Sequence, residues 1–184
     1  MICFYSIDKI KSHLSSAHSN IYLKGTDVSN TKEKTSNFYS IGSYLAGLFE
    51  GDGHIILSKL INSKGKISYP YIAITFVNKD LPLINKLVEM FGGRLRFKNK
   101  ENAILWTVST HKNLINLITV MNGYLRTPKI IKFNDLILWL NERYHYNIPI
   151  HYVDSSSLNS NGWLSCFIEA DGAFKVRCLQ LKNG

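Results

Sequence analysis

Only three cysteines (Cys3, Cys166, Cys178) occur in the chain, an odd number with no Cys-x-x-Cys spacing. That argues against both a disulfide scaffold and a cysteine zinc module. The six histidines are scattered without a ligand-like pair spacing. Apolar runs such as Leu136 to Leu140 are far too short to span a bilayer. Residues 1–40 contain lysines but no arginine, and Asp8, Asp27 and Glu33 interrupt them. Neither an Arg-rich transit peptide nor a signal-peptide core is visible. Acidic residues are also scarce, 13 Asp+Glu against 22 Lys+Arg, for a formal charge of +9. That excess points to a polyanion, nucleic acid first and an anionic membrane surface second. What the chain does have is core material: 45% apolar and 19% charged residues exclude a disordered composition. Its 184 residues suit one domain with something left over.

Residues 1–37 read as a polar, Ser-rich leader, expected to be poorly ordered. From about residue 40 the chain is punctuated. Ser40 to Phe49 reads as a helix ending in Glu50-Gly51-Asp52-Gly53. Two strand-like runs follow, His54 to Leu60 and Ile67 to Val77. Asp80 is placed as an N-cap, with Pro82 in the first turn and Gly92-Gly93 as the stop. Ile84, Leu87, Val88 and Phe91 give that helix its apolar stripe. The pattern then repeats, with strands Arg94 to Lys98 and Ala103 to Ser109 and a helix striped by Leu114, Leu117, Ile118 and Met121. Gly123 ends it, and Thr127-Pro128 opens a last helix with Phe133, Leu136, Ile137 and Leu140 inward. The class is α+β: the order reads αββαββαα, an αββαββα module with one further helix, its antiparallel sheet covered by helices on one face.

Strand alternation separates the two faces. Arg94, Arg96 and Lys98 share one face, opposite Leu95 and Phe97. Ile72, Ile74 and Phe76 share another face, opposite Tyr69, Tyr71 and Thr75. An open face lined by Arg, Lys, Tyr and Thr suits a DNA groove, though an ordinary solvated face has the same pattern. Charge favours the groove: residues 54–100 hold nine Lys+Arg and two Asp+Glu.

A polar linker, 144–159, leads into the start of a second module, 160–184. Residues 163–172 (WLSCFIEADG) align without a gap under residues 44–53 (YLAGLFEGDG), at an offset of 119. Leu, Glu, Asp and Gly are identical, and the outward parity of the following strand carries Ser58 in one copy and Lys175 and Arg177 in the other. One Asp-Gly is an ordinary turn; two copies of a whole helix are a duplication. Small residues four apart, Gly47 and Gly51 in one copy and Cys166 and Ala170 in the other, allow two helices to pack closely. Paired in this way, the helices bring Asp52 and Asp171 together, where a hard cation such as Mg²⁺ relieves their repulsion. Beside a phosphodiester, that arrangement suits hydrolysis.

The stretch Leu45-Ala46-Gly47-Leu48-Phe49-Glu50-Gly51-Asp52-Gly53 resembles the signature of the LAGLIDADG homing endonucleases. Residues 38–143 look like a first module of their two-motif members, which organellar group I introns encode, especially in fungal mitochondria. The resemblance implies a saddle of β-sheet over double-stranded DNA, with both motif helices at a pseudo-twofold interface. It implies metal binding by Asp52 and Asp171, assisted by the carbonyls of Gly51 and Ala170, and a staggered double-strand break. It also implies a basic residue at the cleaved phosphates. Lys129 is the candidate, with a plain surface charge as its alternative role. DNA contacts are expected from Ser58, Tyr69, Tyr71, Thr75, Arg94, Arg96, Lys98, Lys175 and Arg177. A mitochondrial location follows from the same resemblance.

Departures from the pattern matter too. Cys166 stands where the motif has Gly, so strain is expected at the tightest helix contact. Glu50 and Glu169 replace Asp at the helix ends. Only 13 residues follow Asp171, where a second module takes roughly a hundred. Half the DNA clamp is then absent from this chain, and weak cleavage by it alone is expected. An intron-RNA maturase without nuclease activity, or a degenerate remnant, are the other readings. A homodimer through the first motif stays open, although the short tether favours pairing within one chain.

Overall fold

The computed structural model describes residues 32–57 and 68–172, with side chains from residue 41 onward in the first stretch. In chain order the elements are α1 (Lys32–Asp52), β1 (Gly53–Ile56), β2 (Tyr71–Val77), α2 (Leu81–Phe91), β3 (Arg94–Lys98) and β4 (Ala103–Val108). They continue with α3 (His111–Met121), α4 (Lys129–Tyr144) and α5 (Trp163–Asp171). The four strands form one antiparallel sheet in the order β1-β2-β4-β3.

Inward residues of the strands, among them Ile55, Ile72, Ile74, Ile104, Trp106 and Val108, join one core with the helices. The stripes of α2, α3 and α4 are buried as their spacing requires: Ile84, Leu87 and Phe91; Leu114, Leu117, Ile118 and Met121; Phe133, Leu136, Ile137 and Leu140. Burial of these side chains is the main stabilising term, about 25 cal/mol per Å² of apolar surface removed from water.

Several boundaries differ from those expected of the sequence. Helix α1 starts at Lys32, so residues 32–37 of the expected leader are helical. Asp80 closes a 3₁₀ turn (78–80) and makes no side-chain cap bond to α2. At α4 the cap position falls on Pro128, yet the Thr127 hydroxyl accepts a 3.3 Å bond from the Lys129 N–H. Alternation directs Phe97 toward the core, but it is 53% exposed. It lies on β3, the edge strand, where the helical layer covers Leu95 and no longer reaches Phe97.

The segment between α4 and α5 is irregular but fastened down. Asn122 donates to the Pro149 carbonyl, Asn134 to that of His151, and Asn141 exchanges bonds with both backbone groups of Ile148. These ties deliver the chain to the start of α5, which lies against α1.

Candidate metal and DNA site at the paired helix ends

The close approach of α1 and α5 rests on residues without bulk. A Cβ on Gly47 would stand 2.5 Å from the Trp163 carbonyl oxygen and 3.0 Å from Cβ of Cys166. A Cβ on Gly51 would overlap the Ala170 methyl. The bulk of Cys166 is therefore absorbed by the bare backbone of Gly47, and its side chain is fully buried. The two copies also match in detail. A side chain at Gly53 would strike the Phe49 carbonyl at 2.5 Å, and one at Gly172 would overlap the Ile168 carbonyl, its counterpart. Each helix thus ends on an Asp-Gly pair that turns the chain sharply out of the helix.

This geometry brings Asp52 and Asp171 into mutual electrostatic reach. Burial raises the Asp52 carboxyl above its ordinary range, the Asp171 charge raises it further, and Lys129 opposes both. Both aspartates remain solvent-exposed. The Lys129 ammonium lies at the end of α1 and donates to the carbonyls of Gly53 (2.8 Å), Gly51 (2.9 Å) and Phe49 (3.3 Å). Burial lowers its affinity for the proton, while Asp52, Glu50 and Asp171 raise it. Ala170 is half-buried on the facing helix.

Glu50 matters far more than its mild departure from the motif suggests. It is 3% exposed, and its carboxylate is surrounded by donors. Oε1 accepts from the Thr127 N–H (2.6 Å), the Thr127 hydroxyl (2.7 Å) and the Arg126 N–H (3.0 Å). Oε2 accepts from the Trp163 indole N–H (2.6 Å) and again from the Arg126 N–H (2.9 Å). The Arg126 guanidinium lies 5.5 Å from the Trp163 ring centre and bonds Asp154 and Ser156 in the connecting segment. Glu50 therefore fastens α1 both to the start of α4, which carries Lys129, and to the start of α5, which carries Asp171. Its position on the buried face of an apolar helix is the signal that the sequence offers.

On the open face of the sheet, the register aligns Arg94 with Thr107, and Thr107 with Ala73. The next row is Arg96, Leu105 and Thr75. Arg94 and Arg96 are exposed, Thr75 is half-buried, and half-buried Tyr71 stands opposite Ile56 on β1. Lys98 shares its charge with Glu101 in a 2.9 Å ion pair. Tyr69 is a correction: Pro70 precedes β2, the alternation does not extend past it, and the ring turns to the helical layer. There Tyr69 shares a 2.6 Å hydrogen bond with His111 Nδ1 and packs edge-on against Trp139. Burial, with Tyr144 and Tyr146 nearby, pushes its hydroxyl up to about 12. Ser58, Lys175 and Arg177 lie outside the described residues.

Comparison with known proteins gives the family. The LAGLIDADG endonuclease profile matches residues 45–140. The chain belongs to this family. The intron-encoded DNA endonuclease aI3 of Saccharomyces cerevisiae is 34% identical over 80% of this chain and 39% of its own length. The intron-encoded RNA maturase bI4 of the same yeast is 25% identical over 94% of this chain and 23% of its own. Among solved structures, the LAGLIDADG endonuclease I-SmaMI bound to cleaved DNA superposes with a TM-score of 0.57 at 17% identity. That match covers 73% of this chain and 58% of the other, and at such identity it speaks for the fold. The chain thus spans well under half the length of those two yeast relatives.

Among the described residues, no cluster of three or more His, Cys, Asp or Glu side chains forms a metal site. The helix ends carry two carboxylates, Asp52 and Asp171, and carboxylate oxygens are hard ligands of the kind Mg²⁺ takes. No described helix is long and apolar enough to cross a membrane.

Proposed function

We propose that this LAGLIDADG family member is a site-specific DNA endonuclease that makes a Mg²⁺-dependent, staggered double-strand break at an intron-insertion site. The observation that carries the reading is the approach of Asp52 and Asp171 at matched, closely packed helix ends, with the Lys129 ammonium on the carbonyls of Gly51 and Gly53. Arg94, Arg96 and Lys98, with Tyr71 and Thr75, track the DNA backbone from the open sheet face, and the sequence adds Ser58, Lys175 and Arg177 as further DNA-contact candidates. Asp52 and Asp171, with the carbonyls of Gly51 and Ala170, hold the cations. When bound, Mg²⁺ activates water and stabilises charge on the leaving oxygen. Lys129 contributes a positive charge toward the phosphates. The helix pair forms within one chain, and the protein works in the mitochondrion, as the resemblance to organellar intron products implies.

A second reading, assistance to splicing of an intron RNA, draws on the likeness to the yeast maturase. Asp52→Asn separates the two. DNA cleavage disappears and any splicing assistance survives; a variant that still cuts at the parent rate contradicts the endonuclease reading.

A further inference from the structure

Two helices terminate side by side at Asp52 and Asp171. Each C-terminus carries a partial negative charge from its unpaired carbonyls, and each adds a carboxylate. Such a junction repels itself unless a cation occupies it. The structure provides one from the chain itself. The Lys129 ammonium satisfies the carbonyls of Phe49, Gly51 and Gly53, and it lies 5.9 Å from the Phe49 ring centre. Thus all three ammonium protons have acceptors, and the side chain is aimed by helix α4 and by the Glu50 clasp on Thr127.

We infer that Lys129 is a resident cation that holds the helix-end junction together before metal binds and must release the Gly51 carbonyl for metal to enter. The inference rests on the proposal that Asp52, Asp171 and Gly51 form the metal site. Lys129 then has two positions in the cycle. In the metal-free protein its ammonium caps α1, and its charge opposes the repulsion between Asp52 and Asp171. Once a divalent ion takes the carbonyl, the ammonium is freed for an anion such as a DNA phosphate. The metal and the lysine compete for the same oxygen, so each weakens the other's hold on it.

The test uses the chain without DNA. Melting in EDTA and calorimetric titration with Mg²⁺ alone compare the parent with Lys129→Met, Lys129→Arg and Asp52→Asn. Lys129→Met is expected to melt at a lower temperature in EDTA and to recover that loss as Mg²⁺ saturates. It is also expected to bind Mg²⁺ about tenfold tighter than the parent, because a unit charge a few ångströms from the ion is gone. Lys129→Arg keeps the charge and stays near the parent. If Lys129→Met fails to fold, Lys129→Gln carries the same comparison. An unchanged melting temperature in EDTA, or Mg²⁺ affinity equal to or weaker than the parent, overturns the inference. Binding that Asp52→Asn abolishes and Lys129→Met leaves unchanged overturns the lysine's role while sparing the metal site. Absence of Mg²⁺ binding in every variant removes the metal site and this inference with it.

Discussion

Replacing Glu50 by glutamine is the sharpest structural perturbation, because it keeps size and shape and changes only charge and one acceptor. The carboxylate receives the N–H groups of Arg126 and Thr127, the Thr127 hydroxyl and the Trp163 indole N–H. Glutamine retains one acceptor oxygen. If it serves the Thr127 side, its NH₂ group faces the indole N–H, donor against donor. An unsatisfied buried donor costs about 1–3 kcal/mol, and the bonds that survive lose their charge assistance. The total is about 3 kcal/mol, which for a domain of this size lowers Tm by about 6–12 °C. Trp163→Phe keeps the ring beside Arg126 but removes the indole N–H, at about 1.5–3 kcal/mol for a bond to a charged acceptor. In the Glu50→Gln background the same change costs nearly nothing, since the partner is already gone. Differential scanning calorimetry of the four proteins measures this cycle. A Tm drop under about 2 °C for Glu50→Gln, or additivity of the two changes within about 0.5 kcal/mol, would refute the clasp.

Other outcomes follow from the same geometry. Gly51→Ala pushes a methyl into Ala170 and costs about 1–3 kcal/mol in denaturant melts; Ala170→Gly in the same chain restores most of it, and no restoration means that the two residues do not meet. Removing both Arg94 and Arg96 reduces the slope of log K against log salt by about 1.8 in DNA-binding titrations, near 0.9 for each phosphate no longer neutralised; an unchanged slope places the DNA elsewhere. Asp154 lies below its ordinary range: burial alone would raise it, but bonds from Ser156 and the Arg126 charge outweigh that. The stability it contributes is present above the ordinary carboxylate value and lost as pH falls through its lowered one; Asp154→Asn flattens that acid limb of a Tm-versus-pH curve. Asp52 has the opposite sign, its carboxyl raised, so its ionisation costs stability as pH rises through that value. Asp52→Asn therefore melts no lower than the parent at pH 7, and a clear loss there contradicts the strained carboxylate pair.

Much of this architecture is legible from period and punctuation. The stripes of α2, α3 and α4 and the stops at Gly92 and Gly123 depend on local chemistry, so sequence spacing reveals them. The helix pair is legible for another reason: a duplication repeats its small residues at the same positions. What stays hidden depends on tertiary partners or on edges. The polar residues that open α1 have no apolar stripe to mark them as helical. Extending an alternation through Pro70, which interrupts a strand, misplaces Tyr69. Phe97 follows the alternation, but its edge strand has no helix over that end. Glu50 reads as a mild replacement because its donors lie 76 to 113 residues away. Lys129 stands out in the sequence as a candidate phosphate-side cation, whereas its hold on three helix-end carbonyls depends on a fold that brings residues some 80 apart together.

That Asp52 and Asp171 together cut DNA is tested most directly by strand-resolved scission of a plasmid bearing the intron-insertion sequence. The assay compares Mg²⁺ with EDTA, using the chain and its Asp52→Asn and Asp171→Asn variants. Mg²⁺-dependent breaks on both strands are expected for the chain, with no double-strand break in either variant. Double-strand breaks that persist in the variants at the parent rate, or that form equally in EDTA, would contradict the pairing of the two aspartates as the cutting centre.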